Sequence, residues 1–141
     1  PSAAGRNVAF RTFSIPGGAN GETWGNCKIA RLYTQIKNPV MKYIFVEELD
    51  VREGGNMGSW QLERGRWVDP VAMWHNKKTT LGFADGHAEI RDWRDRTLIE
   101  WTLTALNRPL AFSFSRTPEN GDRADFDYMV NGYPAQAIAS Q

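Results

Sequence analysis

Residues 81–90 read Leu-Gly-Phe-Ala-Asp-Gly-His-Ala-Glu-Ile and carry the strongest structural signal in the chain. The pair Asp85-Gly86 lies between two short runs that carry apolar residues, which is a strong hairpin signal because a two-residue type I′ turn needs positive φ at both central positions. We therefore predict a β-hairpin over residues 79–93 that reverses at Asp85-Gly86. The two histidines of the chain, His75 and His87, both lie in or beside this hairpin, so hypotheses about a site begin here.

Other segments outside the hairpin also carry the period-two pattern of strands. Residues 41–49 are the clearest strand, with Tyr43 and Phe45 expected on one face, and we predict that this strand lies inside the sheet. The same pattern is imperfect in residues 28–36, which suit a helix or a strand and are taken as a strand, and it recurs in residues 108–115.

Residues 97–106 fit two structures. Apolar residues alternate with polar ones at period two, which favours a strand, and the threonines and a tryptophan agree. Asp95 as a cap, with Asn107 and Pro109 as a stop, instead suits a short helix. We take the strand as the first expectation.

The strands and frequent turns together predict a fold of the α+β class that is mainly β. The expected architecture is a small antiparallel sheet built from short strands and hairpins, with at most one or two short helices. At 141 residues the chain is expected to be a single domain, residues 1–141. Residues 1–26 are expected to be irregular and residues 135–141 to fray.

A family resemblance rests on the spacing of three residues. His75 is followed by nine residues and then by Asp85-Gly86, and the phrase at residues 81–89 agrees with this motif. The chain resembles the prepilin-type processing-associated H-X9-DG domain family. Two upstream segments are also similar, Asn38-Pro39 with residues 43–48, and residues 67–74.

The resemblance implies a pilin-like or pseudopilin-like head, of the kind found in type IV pili and type II secretion. Such heads follow a cleavable leader and a hydrophobic helix, and both are expected to be missing from this sequence. The resemblance implies an extracytoplasmic, non-enzymatic protein whose partners are other pilin-like subunits or secreted proteins. It implies contact with a membrane only through the missing helix.

The charge distribution excludes some classes of function. The formal net charge is +1, and acidic and basic residues alternate, as in residues 91–96. No basic tract is present that would bind nucleic acid phosphates.

No run reaches the eighteen or so apolar residues of a membrane helix. The single Cys27 predicts no disulfide within the chain.

A metal site is the sharpest chemical hypothesis. His75, Asp85, His87 and Glu89 are residue types that bind zinc or another divalent metal, and Glu47 and Glu48 are expected to approach them from a neighbouring strand. The alternative, which we favour, is that His75 hydrogen-bonds the Asp85 carboxylate or a backbone group of the turn and holds the loop over the hairpin. On this interpretation His75, Asp85 and Gly86 form a structural motif, and no cofactor is required.

Calcium is a second hypothesis for a different segment. Five oxygen-bearing side chains crowd a turn-rich region, but their spacing is not that of an EF-hand loop, and a solvated acidic loop is the favoured interpretation. These residues are Glu119, Asn120, Asp122, Asp125 and Asp127.

A secreted carbohydrate-binding or polysaccharide-degrading domain, possibly metal-dependent, is the competing function. Glu48 and Asp50 share one face of a strand and are the candidate acid and base of a glycoside-active site. Exposed aromatic rings stack on sugars. Trp24 and Trp60, beside glycine-rich segments, are the candidates for such exposure, and the other four tryptophans are expected in the core.

Overall fold

The computed structural model describes residues 13–22, 28–49, 59–63, 65–107 and 113–135. In these residues, six strands, three α-helices and two short 3-10 helices make up the regular structure and confirm the α+β class. The strands are β1 Phe13–Ser14, β2 Tyr43–Glu47, β3 Leu62–Glu63, β4 Arg66–Trp67, β5 Lys78–Phe83 and β6 Ala88–Asp92. The α-helices are α1 Gly17–Asn20, α2 Arg96–Asn107 and α3 Ala124–Gly132, and the 3-10 helices span Tyr33–Gln35 and Pro39–Met41.

The main sheet has four strands in the order β1-β2-β5-β6, and every neighbouring pair is antiparallel. Strand β2 lies inside the sheet, as predicted, and β5 and β6 form the predicted hairpin. Strands β3 and β4 form a separate two-stranded hairpin. Its turn places Gly65 at a φ of 79°, a conformation that glycine adopts at little cost.

A β-bulge in β2 reverses the facing of its side chains. Tyr43 is opposite Phe83 and Phe45 is opposite Gly82, so β2 carries one extra residue between these two pairs. Tyr43 is consequently buried, whereas Phe45 lies on the opposite face and keeps 45% of its surface exposed. The prediction that Tyr43 and Phe45 share a face was wrong, because the simple alternation does not survive a bulge.

One face of the sheet packs on a core rich in aromatic side chains. Tyr43 contacts Trp60 edge to face, Trp60 contacts Trp67, and Trp67 contacts both Trp93 and Phe126, with ring centroids 5.4 to 6.4 Å apart. Edge-to-face pairs add about 0.5–1.5 kcal/mol each to the free energy gained from burial. The expected core positions of Trp67, Trp93 and Trp101 are confirmed.

Residues 97–106 belong to α2, so the favoured strand assignment was wrong. The helix buries Thr97, Leu98, Trp101, Thr102 and Ala105. These positions follow the 3.6-residue period of a helix facing a core, but two of them are threonines, and the alternation placed one of these, Thr102, among the polar residues. The helix therefore has a half-polar inner face that a count of apolar residues does not detect.

Three further segments differ from expectation. Residues 28–36 form no strand, and the side-chain amide oxygen of Gln35 accepts hydrogen bonds from the backbone of Arg31 and Leu32. Residues 113–115 are not a strand, and 108–112 lie outside the described residues, as do 136–141 of the tail. Residues 13–22, expected to be irregular, contain β1 and α1.

Candidate functional site

The turn of the β5–β6 hairpin contains three residues, not two. The Phe83 amide donates to the His87 carbonyl at 2.8 Å, and the Gly86 amide donates to the Phe83 carbonyl at 3.0 Å. Gly86 has a φ of 99°, and Asp85 has no positive φ. This pattern is a type I turn followed by a bulge at glycine. The reversal lies where the sequence predicted it, but the type I′ geometry was wrong.

His87 is held between two carboxylates at the tip of this hairpin. Its Nδ1 atom lies 2.6 Å from Oδ1 of Asp85, and its Nε2 atom lies 3.2 Å from Oε1 of Glu89. The imidazole also stacks on the ring of Phe83, with centroids 4.3 Å apart and planes inclined by 8°. We call Phe83, Asp85, His87 and Glu89 the hairpin clasp.

Electrostatics favour the charged form of the clasp. The hydrogen bond to Asp85 raises the pKa of His87 above its usual value, and Glu89 adds to this effect. In return, the hydrogen bond from His87 lowers the pKa of Asp85. When it is protonated, the imidazole can donate to both carboxylates and so ties the turn to the first residues of β6.

His75 is not part of the clasp, contrary to the structural motif inferred from the sequence. It lies before β5, at the opposite end from the turn, and its Nε2 atom is 3.6 Å from Oε1 of Glu47. Strand β5 spans about 17 Å between the two ends at about 3.3 Å per residue. The expected hydrogen bond between His75 and Asp85 is replaced by the one that His87 makes.

The proposed metal ligands do not converge on one point. His75 is separated from Asp85, His87 and Glu89 by the length of β5, and the two carboxylates approach different nitrogens of the His87 ring. Within the described ranges, no group of three or more histidine, cysteine, aspartate or glutamate residues is placed to hold a metal ion.

The acidic segment expected to form a solvated loop or a calcium site supports the helices instead. Asp122 accepts hydrogen bonds from the amides of Arg96 and Thr97 in the first turn of α2, and the bond from Thr97 lowers its pKa. Asp125 accepts from the amides of Arg94 and Asp95. Both carboxylates therefore satisfy backbone donors at or just before the start of α2.

The remaining acids of this segment form surface ion pairs. Asp127 pairs with Arg123 at 3.0 Å, and Glu119 pairs with Arg116 at 3.1 Å. Pairs of this exposed kind contribute little to stability.

A polar band connects the hairpin to α3. The Arg91 guanidinium lies 2.7 Å from Oδ1 of Asp125 and 4.0 Å above the ring of Tyr128. The Tyr128 hydroxyl lies 3.4 Å from Oε2 of Glu89, so Glu89 joins this band to the clasp. Burial raises the pKa of Tyr128.

The residues suggested for sugar chemistry do not form an open site. Trp60 is completely buried, so its expected exposure was wrong, because the chain after the glycine-rich segment runs into the aromatic core. Glu48 is buried and forms an isolated bridge with Val71. Asp50 and Trp24 lie outside the described residues. Trp74, expected in the core, is 46% exposed next to His75.

The face of the sheet opposite the core carries exposed apolar side chains. Phe13 in β1, Phe45 in β2 and Ile90 in β6 keep 43%, 45% and 65% of their surface exposed. Phe45 lies over Gly82, since a Cβ atom added to that glycine would be 3.3 Å from the Phe45 Cβ. We call the side of the sheet that carries Phe13, Phe45, Gly82 and Ile90 the open face.

A polar cleft of about 420 Å³ lies between α2 and the segment 113–116. Trp101 contributes to its wall and donates from its indole nitrogen to the Ser113 carbonyl at 2.9 Å. The other lining residues are mostly short hydroxyl or charged side chains, namely Thr97, Glu100, Thr104, Ser115 and Arg116. No sequence motif indicated this cleft. Its walls come from two segments that carry no recognisable catalytic or ligand-binding pattern.

Comparison of the chain with models of protein families, with curated proteins and with solved structures found no match. Among the described residues, the helices are too short or too polar for any of them to traverse a lipid bilayer.

Proposed function

We propose that this chain is a pilin-like or pseudopilin-like head, located outside the cytoplasmic membrane, that works through contacts with other subunits of a fibre or secretion assembly. It is not proposed to be an enzyme. The observation that carries the proposal is the open face, because exposed apolar side chains grouped on one surface are typical of protein contact sites. The resemblance of His75, Asp85 and Gly86 to the H-X9-DG motif supports the same class of protein.

Burial of the open face against another subunit would contribute substantially to assembly. Full burial of a large apolar side chain is worth about 1.5–3 kcal/mol, and Phe13, Phe45 and Ile90 each retain about half of their surface for such a contact. The gross gain is therefore about 1 kcal/mol for each side chain. Several subunit contacts of this size accumulate along a fibre, so each contact needs only modest strength.

The hairpin clasp supports an architectural role for the motif region. Both ring nitrogens of His87 contact carboxylates of the same hairpin, and its face stacks on Phe83. An imidazole used in this way holds the strand connection in place and is not presented to a substrate. The buried position of Trp60 removes one of the two tryptophans on which the competing carbohydrate function depended.

The proposal is tested by photo-crosslinking in the native host. The gene, with whatever sequence surrounds this domain there, is expressed with a photoreactive phenylalanine at position 45, on the open face. The matched control carries it at Glu100, an exposed position on α2. We expect position 45 to crosslink to subunits identified by mass spectrometry as pilin-like, in the envelope or sheared-filament fraction, and position 100 to do so far less.

A second variant separates assembly from folding. Phe45→Asp places a charge on a half-exposed surface, so we expect an unchanged fold by circular dichroism but loss from the filament or envelope complex. The proposal is overturned if the protein stays in the cytoplasm, or if Phe45→Asp assembles like the unaltered protein. Retention on insoluble cellulose, xylan or chitin by the purified domain would favour the carbohydrate function instead.

A further inference from the structure

The outer edge of β6 carries backbone groups directed away from β5. Hydrogen bonds from Phe83 to His87 and from Trp93 to Lys77 mark the two ends of the β5–β6 ladder. Opposed residues of an antiparallel pair alternate between bonded and non-bonded pairs. The register pairs Leu81 with Glu89, which makes Glu89 a bonded residue.

The same alternation gives the orientation of the rest of β6. Arg91 also bonds toward β5, whereas Ala88, Ile90 and Asp92 direct their N–H and C=O groups outward. Strand β6 is last in the sheet order, and no described strand pairs with this edge.

The sequence of β6 is complementary to itself when two copies run antiparallel. With Ile90 opposite the same isoleucine of a second copy, Glu89 faces Arg91 of the other strand and Ala88 faces Asp92. Opposite charges directly across a strand pair stabilise it. A parallel pair in register would instead place each charge beside an identical one.

We propose that β6 pairs with β6 of a second copy of this chain, about a two-fold axis at Ile90. The hydrogen-bonded pair at Ile90 and those between Ala88 and Asp92 join two four-stranded sheets into one of eight strands. The two Ile90 side chains, each 65% exposed, meet on the open face. The two-fold axis closes the contact, so it yields a dimer and not an unlimited array.

The charges on β6 do not block this pairing, although charged residues often protect sheet edges. Glu89 and Arg91 lie on the core side of the sheet, where Tyr128 contacts both. Arg91 is paired with Asp125 within its own chain. Ile90, the residue that faces the identical residue of the second copy, is apolar. This inference rests on the proposed function, since it identifies one of the subunit contacts of the assembly.

Paired charge variants test the contact in solution. Sedimentation velocity of the purified chain over a range of concentrations is expected to show a reversible monomer–dimer equilibrium. Ile90→Lys and Ile90→Glu should each weaken dimerisation by about tenfold or more, because like charges then face each other. An equimolar mixture of the two variants should dimerise again, since lysine then faces glutamate.

Cysteine crosslinking provides a second measurement that does not depend on charge. In a Cys27→Ser background, Ile90→Cys is expected to form an intermolecular disulfide, since bonded residues lie about 5.5 Å apart between Cα atoms. The matched control is Asp92→Cys on the same exposed edge. Two such residues lie four positions out of register, about 13 Å apart along the strand, and should not crosslink.

The pairing is overturned if the unaltered chain remains monomeric at all concentrations, if mixing the lysine and glutamate variants restores nothing, or if Asp92→Cys crosslinks as readily as Ile90→Cys. None of these results bears on whether position 45 crosslinks to pilin-like subunits, which tests the proposed function separately. Conversely, a β6-paired dimer from a protein that never joins such an assembly overturns the proposed function alone.

Discussion

The carboxylate of Asp125 is the point at which α3, β6 and the start of α2 are joined. Its side chain is almost completely buried, and it accepts from the Arg94 amide at 2.6 Å, the Asp95 amide at 2.8 Å and the Arg91 guanidinium at 2.7 Å. The relation is reciprocal, because Asp95 accepts from the Asp125 amide at 2.7 Å. Replacement of Asp125 by alanine therefore leaves three donors without the carboxylate that they share.

The expected loss of stability follows from these donors. A buried N–H group left without an acceptor costs about 1–3 kcal/mol. Asp125→Ala leaves one such group, the Asp95 amide, and one partly buried group, the Arg94 amide. The Arg91 side chain is 28% exposed, so water replaces part of its lost contact. We expect a decrease of about 3–5 kcal/mol in the free energy of unfolding, in the range seen when a buried ion pair loses one partner. Asp125→Asn keeps an oxygen for the two amides and should lose about 1–2 kcal/mol.

Urea denaturation followed by tryptophan fluorescence measures these values. The matched control is Asp127→Ala on the same helix, which removes an exposed pair with Arg123 and should cost less than about 0.5 kcal/mol. Equal effects of Asp125→Ala and Asp127→Ala, or equal destabilisation by Asp125→Asn and Asp125→Ala, would show that Asp125 does not join these elements through its hydrogen bonds.

Two further predictions concern the hairpin and the open face. Folding raises the pKa of His87 and lowers that of Asp85. Their mutual stabilisation is therefore complete only between the ordinary pKa values of 3.8 for aspartate and 6.5 for histidine, and it is lost as pH rises through the folded pKa of His87 or falls through that of Asp85. His87→Gln should therefore flatten the pH dependence of unfolding free energy measured from pH 5 to 8, and an unchanged profile would contradict the clasp. Gly82→Val should displace the Phe45 ring, which lies in contact range of an added Cβ, and destabilise the domain by about 1–3 kcal/mol; Gly82→Ala should cost less, and thermal unfolding with nuclear magnetic resonance of the ring checks both.

Local sequence patterns predicted the hairpin but not which histidine contacts Asp85 at its turn. The dipeptide Asp85-Gly86 determines where the chain reverses, because glycine adopts positive φ at little cost. The contact between His87 and Asp85 also lies within two residues. The sequence nevertheless assigned the clasp to His75, because a motif spacing gives separation along the chain and not direction. Six residues of β5 carry the two histidines to opposite ends.

The burial and capping of α2 also depend on contacts with distant parts of the chain. Threonine at positions 97 and 102 is compatible with either face of an element, and burial of both depends on what packs against them. The donors that precede and begin α2 are satisfied by Asp122 and Asp125, which follow about 25–30 residues later along the chain. No local signal identifies such distant partners.

Local sequence patterns were sufficient to predict the fold class, the interior position of β2 and the site of the main reversal, since turn propensity and hydrophobic period act over a few residues. The folded structure was needed to show which aromatic rings are buried, how the bulge turns Phe45 outward, and that Ile90 lies exposed on the edge strand. These features depend on contacts between segments far apart in the chain, and their geometry is fixed only when the core packs.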